Sequence, residues 1–600
     1  MDPSLWAELE GPRDDIVAAL IRIAPGATPP EHIRIVTQID DIATIRVRRG
    51  DLLALREHPS VVSVKAPRPM VPERPTDEPR GRPRRQPRRS LGKGQPTGRG
   101  VVIGVVDWGV DFTHPNLVAR DGRTRLLALW DQRARGPSPR PYGYGTVHTR
   151  RAIDRALASD DPFAKLDYDP LEVDDDHGTH GAHVVDIAAG VPRVGPGGVA
   201  PGAEIVFVHL ADLVWGPRHI ASSVCLLEAI EFIARVAGER PWVINLSLGS
   251  HTGPHDGSTL VEQALDAMVT SGPGRVIVQS CGNYGQRPVH TAGRLAPGQC
   301  RRLPWHVDTS DRTPNEIELW YAGGDAIAMN LVAPDGRTIA RALPDSHGPI
   351  IDGTKQIGRF AHRRSDPNNG DNQALLVVDP ALAPPGPWQV ELEALAVADG
   401  QYHVWIERDE STRGSQSRLA SKDFVATTTT GTISNGHHTI SVGAYDERRR
   451  ERAWFSSVGP TRDGRDKPDL LANGVAIVAA RSDAGDDDLL TEKSGTSMAS
   501  PHVTGAVALL YEAAGRPLHA DEVKQILVDS GRRIGEGPPL LDIKAAVERA
   551  RGSAAQTTHP AKLFDAFARP SRALHLAVPE VELSPGPESC RTHRSRLATG

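Results

Sequence analysis

The fold is decided by the stretch VVIGVVDWGVDFTHPNL, residues 101–117. It opens with a short, continuous apolar run, and that run ends in an acid, Asp107. Such a run is typical of a strand in a parallel sheet, because helices cover both faces of these sheets. Open α/β sheets bind their ligands at the carboxyl ends of their strands. We therefore predict a buried strand that presents Asp107 to a functional site.

The rest of the chain shows two patterns. Apolar runs at 203–210, 242–248 and 275–280 alternate with helical stretches at 222–238 and 258–272. This alternation predicts a doubly wound α/β domain with a mostly parallel sheet. From 284 to 423 strands follow one another without helices, and APDG and VADG supply hairpin turns, so an inserted all-β sandwich is predicted.

The amino-terminal residues 1–70 predict a small α+β unit, with strands at 33–36, 42–48 and 61–64. Residues 71–99 combine proline, glycine and repeated charge, which forbid a packed core, so an extended linker is expected. The predicted organisation is 1–70 α+β unit, 71–99 linker, 100–283 first α/β part, 284–423 β insertion, 424–551 second α/β part and 552–600 tail.

Composition excludes several classes of function. The net charge is only -5, and no aromatic residues interrupt the basic linker, so a nucleic-acid partner is not expected. The four cysteines are too few and too scattered for a disulfide framework, and none has metal-ligand spacing. Acids stand where a signal peptide would carry bases, and no run of about 20 apolar residues could span a membrane. A cytoplasmic protein is the simplest expectation, with export by another route left open.

The strongest chemical signal is SGTSMASPHVTGAVALLYEAAG, residues 494–515. A turn of small residues precedes Ser497, which begins an apolar helix. Backbone N–H groups at the start of a helix point at any negative charge that forms beside it. A serine hydroxyl also needs a base to become a good nucleophile, so a partner histidine is expected elsewhere in the chain.

The run around Ser497 matches the nucleophile motif of the subtilisin family, Gly-Thr-Ser-x-Ala-x-Pro followed by small residues. This resemblance implies a subtilisin-like serine protease whose triad follows the order Asp, His, Ser. Asp107 then stands in the family's Asp-Ser/Thr-Gly motif, with Trp108 in the place of a small residue.

Two further segments resemble the family. VIVQSCGNYGQ, residues 276–286, is similar to the strand that ends in Ala-Gly-Asn, which implies that Asn283 is the oxyanion-hole donor. INLSLGS, residues 244–250, resembles the segment that pairs with extended substrate. The resemblance therefore implies that Ser247, Leu248 and Gly249 line the cleft.

The family's base stands in His-Gly-Thr-His-Val-Ala-Gly, and DDDHGTHGAHVVDIAAG, residues 174–190, matches it in two registers. A start at His177 matches HGTH but puts His183 where glycine belongs. A start at His180 keeps the following helix in phase, although Ala182 then takes the place of threonine. Because the helix must pack at a fixed distance from the base, we favour His180 and keep His177 as the alternative.

The resemblance also implies roles for the other parts. The unit 1–70 resembles the family's inhibitory prodomain, whose tail occupies the cleft until it is cleaved, so the linker is the expected processing region. The β insertion looks comparable to that of bacterial germination proteases and is expected either to brace the catalytic domain or to bind a ligand. No cofactor is required. Calcium binding is common in the family, and its candidate ligands are Asp174–Asp176 and Asp486–Asp488, with solvated acids as the alternative.

These features together predict a serine endopeptidase that forms an acyl-enzyme on Ser497 and cleaves protein or peptide substrates. Its own amino-terminal unit is the expected intramolecular inhibitor. The alternative is a pseudoprotease, a binding or regulatory protein on the same scaffold, which the unusual residues Trp108, Ala182 and Cys281 keep open.

Overall fold

The computed structural model of the chain describes residues 2–72, 94–170, 179–210, 222–308, 311, 313–383, 386–409, 415–482 and 489–556. Three hydrophobic cores hold most of the apolar side chains, one in an amino-terminal unit, one in a central α/β part and one in a β-rich segment. In these ranges no helix is both long and apolar enough to cross a membrane.

The amino-terminal unit is an antiparallel sheet of four strands in the order β2-β3-β1-β4. Its elements are α1 Leu5–Glu8, β1 Ile16–Ile23, β2 Arg34–Ile39, β3 Ile42–Arg48, α2 Leu52–Glu57, β4 Val61–Lys65 and, beyond the sheet, β5 Val71–Pro72. Strands lie at all three predicted places, whereas β1, a central strand of the sheet, was not predicted.

The first α/β part follows. Its elements are β6 Val102–Asp107, β7 Leu126–Asp131, β8 Thr146–Thr149, α3 Arg150–Leu157, α4 Pro162–Leu166, α5 His180–Ala189, β9 Glu204–His209, α6 Ser223–Ala237, β10 Trp242–Leu246, β11 Leu248–Gly249, α7 Leu260–Thr270 and β12 Arg275–Ser280. The amino-terminal sheet packs on α6 and α7. There Arg46 binds Glu228 of α6 through two hydrogen bonds of 3.0 Å, and both side chains are buried.

The β-rich segment consists of two antiparallel sheets. Its strands are β13 His290–Arg294, β14 Cys300–Val307, β15 Asn315–Tyr321, β16 Ala326–Val332, β17 Thr338–Ala342, β18 His347–Asp352, β19 Lys355–Arg363, β20 Asn372–Val378, β21 Gly386–Ala396, β22 Gln401–Ile406 and β23 Arg418–Leu419. One sheet has six strands in the order β13-β22-β15-β20-β19-β18, and the other has five in the order β17-β16-β21-β14-β23. Trp305 and Trp388 of the second sheet share one core with Leu319 and Val404 of the first.

The α/β part then resumes. Its remaining elements are β24 Ile440–Asp446, β25 Glu451–Arg452, β26 Leu470–Asn473, β27 Ile477–Ala480, β28 Leu490–Lys493, α8 Thr496–Ala514, α9 Ala520–Ser530 and α10 Ile543–Gln556. Both α/β parts contribute to one nine-stranded sheet, β25-β24-β12-β10-β6-β9-β7-β8, with β26 also paired to β24. Only the pairs of β8 and β25 with their neighbours are antiparallel. The predicted α/β fold with a mostly parallel sheet is confirmed.

Strand β6 occupies a special place in this sheet. Strands β9 and β7 lie on one side of it, and β10, β12 and β24 lie on the other, so the strand order reverses at β6. Such a reversal opens a crevice at the carboxyl ends of the strands, where α/β proteins bind their ligands. Asp107, the last residue of β6, stands at that crevice.

Candidate active site

The structure brings Asp107 and His180 together. Strand β6 ends at Asp107, helix α5 begins at His180, and His180 Nδ1 lies 2.6 Å from Asp107 Oδ1. The Trp108 N–H also donates to that oxygen, at 2.7 Å. Asp107 is fully buried and His180 is 5% exposed, so the pair interacts out of bulk water. A buried carboxylate in this position holds the imidazole in one tautomer, with the proton on Nδ1.

Glycines make this close approach possible. The Gly181 N–H donates to the Trp108 carbonyl oxygen at 2.8 Å, which ties the start of α5 to the loop after Asp107. A Cβ atom on Gly181 would lie only 2.5 Å from the Gly109 oxygen, so any side chain there would push the helix away. Trp108 itself is buried in the core of the α/β part, which accommodates the departure from the family's small residue.

The second nitrogen of His180, Nε2, has no hydrogen-bond partner within the described ranges. With Nδ1 donating to Asp107, Nε2 carries the lone pair that can accept a proton. The neighbouring His183 is different, because burial lowers its pKa well below the usual range and its Nε2 lies 3.1 Å from the Ile477 oxygen. The alternative base, His177, lies outside the described residues.

Ser497 is the second residue of α8 and is fully buried. Its Oγ lies 3.5 Å from the Ser247 carbonyl oxygen, while Ser247 Oγ donates to the Ser497 carbonyl oxygen at 3.1 Å. Ser247 Oγ also lies 3.0 Å from Ser500 Oγ on the next turn of the helix. These contacts fix the amino-terminal turn of α8 against the segment that follows β10.

Asn283 reaches the same helix start across 213 positions of sequence. Its Oδ1 accepts from both the N–H and the hydroxyl of Thr496, each at 3.0 Å. Because Oδ1 accepts these two hydrogen bonds from Thr496, the amide donor of Asn283, Nδ2, points away from Thr496. A Cβ atom on Gly495 would lie 3.5 Å from Asn283 Nδ2 and 3.8 Å from the Ser497 nitrogen, so the two donors flank one point. Such a pair of donors suits a developing oxyanion.

Leu248 and Gly249 form the short strand β11, which pairs antiparallel with β5 of the same chain. Gly249 faces Val71, and Leu248 faces Pro72. The segment that was expected to pair with an extended substrate therefore carries an extended peptide, the end of the amino-terminal unit.

Thr496 and Arg68 were missed by the sequence analysis. Thr496 lies inside the quoted serine motif, and only its contact with Asn283 gives it a role.

The acidic clusters Asp174–Asp176 and Asp486–Asp488 lie outside the described residues. Among the residues that are described, no three His, Cys, Asp or Glu side chains gather as a metal site.

Comparisons with known proteins identify the family of the chain. The model of the subtilase family matches residues 98–317 and 396–555. The minor extracellular protease Vpr of Bacillus subtilis is 26% identical over 432 residues, which cover 70% of this chain and 46% of that protein. The serine protease AprX of the same species is 39% identical over 104 residues, covering 15% of this chain and 23% of AprX. The chain thus spans less than half the length of these relatives.

Among solved structures, the CspB protease of Clostridium perfringens has a TM-score of 0.64 at 24% identity, over 76% of this chain and 95% of that one. At this identity the likeness concerns the fold.

The comparisons also correct one expectation. The expected cytoplasmic location is wrong, since the relative matched over 432 residues is by name an extracellular protease. The family model covers more than half of the chain, in two stretches that contain the Asp107, His180, Asn283 and Ser497 positions. The chain therefore belongs to the subtilase family of serine proteases.

Proposed function

We propose that the chain is a serine endopeptidase that cleaves peptide bonds through an acyl-enzyme intermediate. The observation that carries this proposal is the buried contact of 2.6 Å between His180 Nδ1 and Asp107 Oδ1, which leaves Nε2 as a base. Fold likeness alone would not support an activity, because one fold hosts many functions.

In the proposed mechanism, Ser497 Oγ attacks the carbonyl carbon of the scissile bond while His180 Nε2 takes its proton. Asp107 stabilises the imidazolium that forms. Asn283 Nδ2 and the Ser497 N–H donate to the oxyanion of the tetrahedral intermediate. His180 then gives the proton to the leaving amine, and a water molecule, activated by the same base, releases the acid product. His180 Nε2 has no hydrogen-bond partner among the described residues, and Ser497 Oγ lies 3.5 Å from the Ser247 oxygen. The proposal therefore requires the hydrogen bond between Ser497 and His180 to form when substrate binds, as catalytic hydrogen bonds often do.

We propose that the residues 1–70 act as an intramolecular inhibitor. Val71 and Pro72, which directly follow this unit, pair with β11, the segment that extended substrates would use through Ser247, Leu248 and Gly249. The 71–99 region is then the place where processing occurs, and cleavage there would free the cleft. The substrates are protein or peptide chains that bind in extended form.

The remaining assignments are proposals of the same kind. Residues 100–283 and 424–551 form the catalytic domain, and 284–423 form an inserted sandwich that braces it. None of the steps above uses a metal, so no cofactor is required. Calcium binding would involve the acidic clusters at 174–176 and 486–488.

The test is covalent labelling of the purified protein with a fluorophosphonate, which reacts with activated serines. The wild type should be labelled, Ser497→Ala should not, and Ser530→Ala, which removes a serine hydroxyl at the end of helix α9, should keep the label. Correctly folded wild-type protein that has been cleaved in the 71–99 region and still resists labelling would instead identify a pseudoprotease.

The choice of base is tested by the same probe. His180→Ala should abolish labelling, and His177→Ala should retain it. The reverse result would assign the base to His177.

A further inference from the structure

The tail of the amino-terminal unit lies between two edges of the α/β part. On one side, Arg68 bonds Ser223 through both of its backbone groups, at 2.9 and 3.0 Å. On the other side, Val71 and Pro72 pair with Gly249 and Leu248. The pairing runs from Gly249 to Leu248, towards Ser247 and so towards the Ser497 hydroxyl. Residues 68–72 thus follow the path of a peptide that approaches the nucleophile.

The side chain of Arg68 leaves this path and enters the β-rich segment. Its Nη2 donates to Glu318 Oε1 at 2.7 Å, and its Nη1 donates to Glu316 Oε1 at 3.0 Å. Nη1 also donates to Thr252 Oγ1 at 3.1 Å. Glu316 and Glu318 are two residues apart on β15, so their side chains lie on the same face of the strand. The guanidinium is therefore held by two carboxylates of the β-rich segment and one hydroxyl of the α/β part.

The site is built by residues other than Arg68. Glu318 is fully buried, and its Oε2 accepts from the Trp320 indole nitrogen at 2.9 Å. Gln373 donates to the other oxygen of the same carboxylate. Both donors are neutral and fix the carboxylate without cancelling its charge. While a peptide covers this site, the buried carboxylate is costly without a cation, so the occupied site favours one, and a planar guanidinium fits the geometry.

The electrostatics agree with a site for a cation. Burial alone would lower the pKa of Arg68, but Glu318 and Glu316 raise it above its ordinary value. Burial in turn raises the pKa of Glu316 to about 7, which Arg68 opposes, so Glu318 is the carboxylate chosen for the test. Next to them, Glu407 Oε2 accepts from the Thr252 hydroxyl, which places a third carboxylate at the edge of the site.

We propose that β15 carries a distal subsite for the guanidinium group of an arginine in the peptide that occupies the cleft. This inference rests on the proposed function and names a substrate class for it. The preferred substrates are extended peptides with an arginine three residues before the residue that faces Gly249. The β-rich segment, which is inserted between Asn283 and Ser497 in the sequence, would then contribute to substrate selection.

The test uses two fluorogenic peptides with the sequence VKAPRPMVPERPTD of residues 64–77. The second peptide differs from the first only at the position of Arg68, where it carries citrulline, the neutral isostere of arginine. The processed wild type should cleave the arginine peptide with a kcat/KM at least about tenfold higher, as expected when one partner of a buried charge pair is lost. Glu318→Gln should reduce that ratio to about one to threefold. Glu393→Gln, which removes a carboxylate elsewhere on the same segment, should leave the ratio unchanged. A wild-type ratio below about twofold overturns the proposal.

Failure of the proposed function gives a different result. If neither peptide is cleaved and the serine is not labelled, the proposed function is refuted, and the substrate role of the subsite with it. The binding of Arg68 by the site is then tested separately, by measuring the rate of backbone hydrogen exchange of residues 68–72 in the full-length Ser497→Ala protein. Glu318→Gln should speed that exchange about tenfold relative to Glu393→Gln. Equal exchange would show that the carboxylates of β15 do not hold the tail.

Discussion

Acid should loosen the contact between the β-rich segment and the α/β part, because four buried histidines lie at that contact. His251 and His255 come from the loop after β11, His290 from β13 and His403 from β22. Three of their rings stack on Trp405, with centroid distances of 4.1 Å for His255, 4.9 Å for His290 and 5.1 Å for His403. His290 Nε2 lies 3.2 Å from His403 Nδ1, so a proton on each ring would set two positive charges side by side.

The size of the effect follows from the pKa values. Burial lowers the pKa of His251 to about 4 and those of His290 and His403 to about 3. Nearby arginines, Arg287 and Arg462, act in the same direction. An unfolded histidine titrates near pH 6.5, so below that pH the unfolded chain binds more protons than the folded one. Stability is therefore complete above pH 6.5 and is lost as the pH falls towards 4. Between pH 7.5 and 5, the low pKa values of His251, His290 and His403 each reduce the stability by about 2 kcal/mol, about 6 kcal/mol together.

Hydrogen exchange in the Ser497→Ala protein measures this loss locally and without self-digestion. The free energy of opening of residues 290–294 and 401–406, which pair with each other, should fall by several kcal/mol between pH 7.5 and 5. His403→Phe keeps a ring on Trp405 but removes one titrating group, so it should remove about 2 kcal/mol of the pH dependence. His306→Phe, at an exposed histidine of β14, is the matched control and should remove none. A change below about 1 kcal/mol in the wild type would refute the reasoning.

Three further outcomes are expected. Gly104→Ala should lower stability by about 1–3 kcal/mol in urea denaturation, because its Cβ would lie 2.5 Å from Ile233 Cγ2; an unchanged midpoint would contradict this packing. Thr496→Val should reduce kcat several-fold with little change in KM, because it removes one of the two bonds that orient Asn283. Asp107→Asn should keep the fold by circular dichroism and lower kcat by a factor on the order of 10⁴, because the imidazole would take the wrong tautomer.

The sequence was sufficient to predict the parts of the site that lie at the ends of regular elements. Asp107 ends a continuous apolar strand, and Ser497 lies in the first turn of an apolar helix, so both positions follow from local patterns. The phase of the helix after the histidines favoured His180, and α5 indeed begins there. The roles of these residues in catalysis stay predictions that the labelling experiment tests.

The sequence was less informative about strands whose surroundings differ on their two faces. Strand β1, IVAALIRI, is nearly continuous in apolar residues because the unit's own core covers one face and α6 and α7 lie against the other. It therefore lacks the alternation that marks a half-buried strand. Strand β19, KQIGRFAHR, lacks a clear apolar pattern for the opposite reason, since its first half is largely exposed and polar.

Contacts between distant parts of the chain carried no local signal at all. Arg68 is an ordinary basic residue in sequence, and its importance arises only because Glu316 and Glu318 meet it across about 250 positions. The histidine cluster is similar, since its members come from one loop and two strands that no motif connects. A single sequence gives no means of pairing such residues, because side-chain chemistry alone does not determine which surfaces meet.

The way in which the β-rich segment is attached explains how it can act on the peptide without disturbing the catalytic groups. The chain leaves and returns at one place, where the Val425 N–H donates to the His290 oxygen at 3.0 Å. Just beyond it, the Gly431 N–H donates to the Cys281 oxygen at 2.8 Å, so the α/β part closes directly after β12. Asn283 consequently stays 3.0 Å from Thr496 whatever lies between them in sequence. Changes on β15 should therefore alter which peptides are cleaved while the chemistry at Ser497 stays the same.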